Sequence, residues 1–199
     1  MVVQTKRLGG KVAVVTGAGR GIGKAIAIAY AGEGASVCCA ARTEAEIDET
    51  VREIEGLGGR GLAVQTDVTQ LESVRRAFEA AADSFGGIDI LVANAGGNLD
   101  RSRVEDGDPA DWLATLELNL TGVYHCTKVA IPYLKRRGSG KIIVTGSGIG
   151  HQGSAGNSAY ASSKAGVWML TRVLAQELWE YNISVNELIP GPVLTERVR

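Results

Sequence analysis

Two residues whose types could support acid–base chemistry, Tyr160 and Lys164, lie four positions apart in the segment AYASSKAGVWML. Residues four apart project from the same face of a helix, one turn from each other. A free phenol titrates near pH 10, which is too high for efficient proton exchange at neutral pH. A lysine ammonium within about 4–6 Å stabilises a phenolate. The pair could therefore act as acid and base toward a carbonyl oxygen, although such a spacing also arises by chance.

The periodicity of residues 157–181 predicts a helix that carries this pair on an apolar stripe. A lysine is rarely buried without a partner, so Lys164 on this stripe requires either a cleft or an opposite charge. The residues of the stripe are Tyr160, Lys164, Val167, Thr171, Leu174 and Leu178.

A glycine-rich turn, VVTGAGRGIGKA, follows the first predicted strand and begins the first helix. The common pattern G-x-G-x-x-G is not met; the glycines are instead Gly17, Gly21 and Gly23, preceded by Thr16. In this context backbone N–H groups and a helix N-terminus can bind a pyrophosphate, so we expect a dinucleotide site. The alternative is that the glycines only permit a tight turn.

The end of the second predicted strand indicates which dinucleotide binds. An NAD site commonly offers Asp or Glu there, whereas this chain has Arg42. An arginine can hold a ribose phosphate by bidentate hydrogen bonds, and Arg20 could close the same pocket. These two residues favour NADP(H) over NAD(H), the alternative being two solvated surface arginines.

Apolar runs alternate with helical patterns along the chain, which predicts one doubly wound α/β domain over residues 1–199, with helices on both faces of a parallel sheet. The predicted strands are 11–16, 36–41, 61–67, 88–96, 141–146 and 183–191. The predicted helices are 24–34, 44–59, 71–87, 109–137 and 157–181.

Composition argues against several other classes of protein. The net charge is −1 and the basic residues are dispersed, which argues against nucleic-acid or anionic-membrane partners. No apolar run is long enough to span a membrane, and the first residues lack a signal-peptide core. Three cysteines suggest buried free thiols in a reducing cytoplasm, and two histidines without a Cys/His cluster predict no metal site.

Five motifs occur in order: TGAGRGIG, NAGG at 94–97, a serine thirteen residues before Tyr160, YASSK, and PG at 190–191. In this respect the chain resembles a short-chain dehydrogenase/reductase of the branch with a single Rossmann domain, over residues 8–196. The resemblance implies an NAD(P)-dependent oxidoreductase that interconverts a ketone or aldehyde and an alcohol. Sugar-nucleotide epimerases and dehydratases usually have a differently spaced glycine turn and a longer substrate domain.

The resemblance also implies roles for individual residues. Tyr160 matches the catalytic acid/base, and Lys164 the residue that stabilises the phenolate and holds the nicotinamide ribose. Ser147 matches the serine that binds the substrate oxygen; Ser154 is the alternative but lies too near the tyrosine. Asn119 matches the asparagine that anchors a water in the proton relay. It falls on an apolar stripe of helix 109–137, where a satisfied structural amide is the alternative.

For the cofactor, the resemblance places Asp67 and Val68 near the adenine, 94–96 beneath the nucleotide, and 190, 193 and 195 beside the nicotinamide amide. For Asn94, a mainly structural role in the sheet is the alternative. The full expected cofactor set is Gly17, Arg20, Gly21, Ile22, Gly23, Arg42, Asp67, Val68, Asn94, Ala95, Gly96, Tyr160, Lys164, Pro190, Val193 and Thr195.

Two features depart from the family pattern. Most members continue beyond the PG loop with a substrate-covering segment, a helix and a last strand, whereas this sequence stops at Arg199. A nucleotide-binding protein with little catalysis is therefore the second expectation. Glu187, within the sixth predicted strand, is unexpected at a buried position.

Family members often pair through the two longest helices, so the resemblance implies a homo-oligomer, dimer or tetramer, through 109–137 and 157–181. On the second of these helices we expect the pairing face to carry Ala161, Ala165, Trp168, Arg172 and Trp179. The alternative is that this face is buried within the monomer.

Overall fold

The computed structural model of the protein describes residues 6–191 and 193, and its centre is a six-stranded parallel sheet. The strand order is β3-β2-β1-β4-β5-β6, so the direction in which strands are added reverses between β1 and β4. The strands are β1 Val12–Thr16, β2 Ser36–Ala41, β3 Arg60–Gln65, β4 Ile90–Ala93, β5 Gly140–Thr145 and β6 Ile183–Leu188.

Helices cover both faces of the sheet, which confirms the predicted doubly wound α/β fold. They are α1 Gly21–Gly32, α2 Glu44–Gly56, α3 Leu71–Phe85, α4 Pro109–Leu116, α5 Gly122–Arg137, α6 Ile149–Gln152 and α7 Ser158–Leu178. One apolar core contains Phe78, Leu134 and Val167 from the helices α3, α5 and α7, and the other contains Ala27 and Ile47 from α1 and α2. Strands buried on both faces explain the continuous apolar runs of the sequence.

The predicted strand at 88–96 is longer than the observed β4, which ends at Ala93. The Thr16 hydroxyl accepts hydrogen bonds from the backbone N–H groups of Asn94 and Ala95, at 3.0 and 3.1 Å. These bonds replace the ladder and turn the chain out of the sheet. Residues 94–98 therefore form a loop at the carboxyl ends of the strands rather than a continuation of β4.

The predicted helix 109–137 is continuous, but it contains a π-helical turn at Glu117–Thr121 between α4 and α5. The turn is centred on Asn119, whose side chain is fully buried. π-Turns are rare and frequently occur at functional sites. Periodicity alone did not predict this turn, because one wider turn barely disturbs the apolar stripe.

Trp168, on the face of α7 expected to pair with a partner helix, is half-buried within the chain, whereas Arg172 and Trp179, assigned to the same face, are exposed. The Trp168 ring packs against the ring of His151 in the short helix α6, with 5.1 Å between centroids. The large apolar side chains exposed in this part of the molecule include Tyr124 on α5, Met169 and Val173 on α7, and Trp179 directly after α7. No helix within the described ranges is long and apolar enough to cross a membrane.

Candidate active site

An open cleft of about 480 Å³ lies at the carboxyl ends of the strands, beside the reversal of strand order between β1 and β4. Ligands of open α/β sheets bind in this crevice. Most of the residues expected to bind cofactor or substrate line it: Gly17, Arg20, Gly21, Ile22, Arg42, Asp67, Val68, Asn94, Ala95, Gly96, Ser147, Tyr160, Lys164, Pro190 and Val193.

The glycine-rich turn is shaped for close approach of a ligand. Gly17 and Gly21 have φ of 67° and 55°, a left-handed conformation that other residues rarely adopt. Helix α1 begins at Gly21, and Arg20 supplies no side-chain cap to its first turn. The free N–H groups of this turn are therefore open to an anion such as a pyrophosphate.

Gly23 lies behind the turn and is not one of the residues that line the cleft, so its expected contact with the cofactor stays a prediction. A Cβ at this position would overlap the carbonyl oxygen of Gly17 and lie 2.6 Å from Nδ2 of Asn94. Gly23 thus allows α1 to pack closely against the turn and positions the turn indirectly.

Both arginines expected at the ribose phosphate line the same end of the cleft, together with Glu46 of α2. Arg20 Nη1 lies 3.5 Å from Glu46 Oε1, in a partly exposed ion pair. Arg42 is exposed, and no ion pair joins it to another side chain of the described part of the chain. Sequence reasoning did not assign Glu46 to the cleft, since helical position gives no information on which loop it faces.

Asp67 and Val68 line the cleft beyond β3, and their position beside the adenine stays a prediction. The Asp67 Oδ1 oxygen accepts hydrogen bonds from the backbone N–H and the hydroxyl of Thr69, at 3.0 and 2.8 Å. This local turn fixes the carboxylate at the cleft wall. The carbonyl of Val68 lies 3.0 Å from Nδ1 of His125, which ties the same loop to α5.

Asn94 has the structural role that was its alternative reading, and it also lines the cleft. Its Nδ2 donates to the Thr16 carbonyl at 3.0 Å, and its Oδ1 accepts from the Thr145 hydroxyl at 3.2 Å. The amide thus joins the ends of β1 and β5 across the strand between them.

Tyr160 and Lys164 lie at the start of α7 with the lysine ammonium 5.7 Å from the centre of the tyrosine ring. Lys164 is only 3% exposed, and its Nζ donates a 2.6 Å hydrogen bond to the Thr145 carbonyl. An ammonium has three donors, so two remain for the cleft. Burial lowers the pKa of Lys164 to about 8, against which the nearby Glu187 carboxylate acts.

Ser147 follows β5 and lines the cleft with Tyr160, as the candidate for binding a substrate oxygen. Its hydroxyl accepts a long hydrogen bond, 3.4 Å, from the N–H of Ile149 at the start of α6. Ser154 is exposed and does not line the cleft; its hydroxyl accepts instead from the Asn157 amide at 3.3 Å. The structure therefore places Ser147, and not Ser154, in the cleft that Tyr160 also lines.

Asn119 lies beneath the cleft wall and is not one of its lining residues. Its Oδ1 accepts from the Gly97 N–H at 2.9 Å, while its Nδ2 donates to the Gly97 carbonyl at 2.8 Å and to the Ser163 hydroxyl at 3.1 Å. The amide thus has protein partners for both of its polar atoms, as a buried amide requires. These contacts favour a positioning role for the side chain.

Thr195, another of the expected cofactor residues, lies outside the described residues. Some residues that line the cleft were not assigned individually from the sequence. The additional residues come from the loop after β4, from the π-turn, and from the segments on either side of α6. They include Asn98, Arg101, Leu118, Ile149 and Asn157. The Asn98 amide donates to Asn157 Oδ1 at 2.8 Å, which joins the loop after β4 to the start of α7.

Comparison with known proteins places this site in a family. The family model for short chain dehydrogenases matches residues 11–199. The chain is 38% identical to the 3-oxoacyl-[acyl-carrier-protein] reductase FabG of Thermotoga maritima, over 95% of this chain and 76% of the relative. It is 37% identical to the 7alpha-hydroxysteroid dehydrogenase of Escherichia coli K12, over 97% and 75%. Carveol dehydrogenase from Mycobacterium avium, solved in complex with NAD, superposes with a TM-score of 0.91 at 32% identity, over 94% of this chain and 72% of that one.

The chain belongs to the short-chain dehydrogenase/reductase family, as the motifs of its sequence indicated. It is an oxidoreductase that acts on the CH–OH or C=O group of its substrate. The relatives that it matches reduce or oxidise chemically different compounds, according to their names. The chain spans about three quarters of their length.

Proposed function

We propose that the protein interconverts a ketone or aldehyde and an alcohol with NADP(H), with Tyr160 as the acid and base. The observation that carries this proposal is the buried Lys164 ammonium beside Tyr160 in the cleft at the strand ends. Both side chains lie where the glycine-rich turn would bring a dinucleotide. When bound, the cofactor supplies the hydride.

In this proposal Ser147 holds the substrate oxygen and Tyr160 gives it a proton during reduction. The Lys164 ammonium stabilises the phenolate that remains, and its free donors face the ribose of the nicotinamide. Asn119 keeps the loop at Gly97 in place. The chain's own contribution to the reduction is therefore a positioned proton donor, while the hydride would come from the bound cofactor.

The proposed preference for NADP(H) rests on Arg20 and Arg42, which line the end of the cleft beyond β2. A ribose phosphate there would meet two guanidinium groups, although Glu46 already pairs with one of them. Relatives in this family differ on this point, because carveol dehydrogenase was solved with NAD.

We also propose a homo-oligomer that forms through α5 and α7, and a cytoplasmic location. Tyr124 and Val173 are exposed and line a groove of about 290 Å³ between these helices, and Met169 is also exposed on α7. The three cysteines are free and buried, in keeping with a reducing compartment.

The decisive experiment compares wild type with Tyr160→Phe in NADPH-dependent reduction of a panel of ketones. Loss of the proton donor should lower turnover by about 10²–10⁴-fold. Binding of NADPH, followed by its fluorescence, should be largely retained. Tyr181→Phe changes an exposed tyrosine and serves as the matched control.

Unchanged turnover in Tyr160→Phe would refute the assignment of the acid. Binding of NADPH by the wild type with no turnover of any ketone would support the second candidate, a nucleotide-binding protein with little catalysis.

A further inference from the structure

Glu187 on β6 is a buried carboxylate that the proposed reaction does not use. Its side chain is 9% exposed, and its Oε1 has no hydrogen-bond partner among the described residues. A buried carboxylate without full hydrogen bonding is costly, so such a group is kept only where its charge is compensated.

The carboxylate lies against Gly146, in the strand end that forms the cleft wall. A Cβ at Gly146 would overlap Oε1 of Glu187, so only glycine leaves room for this side chain. Gly146 lies between Thr145, whose carbonyl accepts from Lys164, and Ser147, the candidate substrate-binding serine. Glu187 thus lies against Gly146, while Lys164 binds the adjacent Thr145 at the end of β5.

The charges of these two residues are complementary. Within the described part of the chain, Glu187 is the group whose charge favours the ammonium of Lys164 against the cost of burial. Without Glu187, the Lys164 ammonium would be a buried cation with no compensating carboxylate. Burial would then favour the neutral amine. The neutral amine could not stabilise a phenolate.

His151 holds the other oxygen of the carboxylate. Its Nε2 lies 3.1 Å from Glu187 Oε2, and since a carboxylate only accepts, Nε2 carries the proton while Glu187 is ionised. The imidazole packs on Trp168, and the adjacent Gly150 lets α6 pack directly against the backbone of Lys164. The histidine is therefore held in place by α7.

We propose that Glu187, held by His151, is a positioning residue that keeps the Lys164 ammonium charged beneath the cleft. The importance of Glu187 for catalysis rests on the proposed function. The charge of Lys164 can be measured without any assay of activity. Among the described residues, the other titratable groups beside Lys164 and Glu187 are Tyr160 of α7 and His151 of α6.

The test is an NMR titration of the Lys164 side chain in protein labelled with ¹³C-lysine, with the signal assigned by its loss in Lys164→Met. The midpoint in wild type should lie near pH 8. In Glu187→Gln, which keeps the side-chain size, the midpoint should move to lower pH. In His151→Phe, which removes the donor at an accessible position, it should move in the same direction by a smaller amount.

Two controls separate charge from general disturbance. His151→Gln keeps a donor to the carboxylate, and Glu177→Gln makes the same chemical change at an exposed position of α7, so both should leave the midpoint unchanged. A midpoint in Glu187→Gln equal to or above that of wild type would overturn the inference. If Glu187→Gln does not fold, an unchanged midpoint in His151→Phe has the same consequence.

Activity supplies an independent readout. With NADPH and ethyl acetoacetate as the probe ketone, the alkaline loss of kcat/KM should move to lower pH in Glu187→Gln. Absence of turnover in wild type would count against the proposed function alone, because the titration of Lys164 would still decide the role of Glu187.

Discussion

At the scale of single residues, positively charged side chains lie at the two ends of the cleft and differ in their exposure to solvent. Arg20 and Arg42 present positive charge at one end, and Lys164 presents it beside Tyr160 at the other. The first two are partly or fully exposed, so solvent screens them, whereas Lys164 is buried and acts at close range. Changes at the two ends should therefore have different consequences.

Replacing Arg42 by alanine should weaken NADPH binding by about tenfold, since a charge-assisted hydrogen bond contributes about 1.5–3 kcal/mol and Arg42 is exposed. Binding of NADH, which lacks the phosphate, should change little. Fluorescence titration with both cofactors measures the ratio, and Arg52→Ala, an exposed arginine on α2, is the control. An equal loss of affinity for NADPH and NADH would show that Arg42 does not bind the ribose phosphate.

Two glycines of α1 offer a matched pair that tests the shape of the turn. Alanine at Gly23 would run into the Gly17 carbonyl, so we expect a loss of about 1–3 kcal/mol in stability and weaker cofactor binding. Alanine at Gly32 meets nothing within 4 Å and should stabilise the helix by about 0.5–1 kcal/mol. Urea unfolding and NADPH titration measure both effects. Equal behaviour of the two variants would show that close packing at Gly23 is unimportant.

At the scale of elements, the π-turn couples the loop after β4 to α7. Asn119 in the turn binds both backbone polar groups of Gly97 and the hydroxyl of Ser163, which itself donates to the Tyr160 carbonyl at 2.8 Å. The π-turn therefore connects the loop after β4 to α7 through the side-chain amide of Asn119.

Asn119→Ala would leave the polar groups of Gly97 without these partners, so we expect a loss of about 1–3 kcal/mol in unfolding free energy. The loop and the tyrosine should also lose their alignment, which would lower kcat with a smaller effect on NADPH binding. Asn186→Ala removes an exposed amide on β6 and controls for the substitution itself. Full stability and activity in Asn119→Ala would contradict this role.

At the scale of the whole molecule, the apolar surface of α5 and α7 predicts how chains assemble. A charge at Val173 would be buried in the proposed helix–helix interface, so Val173→Glu should shift the protein toward monomers. Light scattering after size-exclusion chromatography measures the mass of the particles. Leu57→Glu, at an exposed position directly after α2, is the control. A wild-type protein that is monomeric at all concentrations would refute the interface.

The sequence by itself determined the features that depend on local periodicity and spacing. Apolar runs and helical stripes indicated the parallel sheet and its covering helices, and the segment YASSK placed Tyr160 and Lys164 on one helix face. The glycine-rich turn likewise followed from its place between a strand and a helix. These patterns repeat within a few residues, so one chain is enough to read them.

The tertiary structure alone decided which distant groups meet. Gly23 packs behind the turn, Glu46 reaches Arg20, and Asn119 binds a residue 22 positions away in the chain. Glu187, unexplained in the sequence, meets His151 across 36 positions. Such pairs depend on the strand order and on how each helix crosses the sheet, and no local period encodes them, because the contacts form only when the elements pack together.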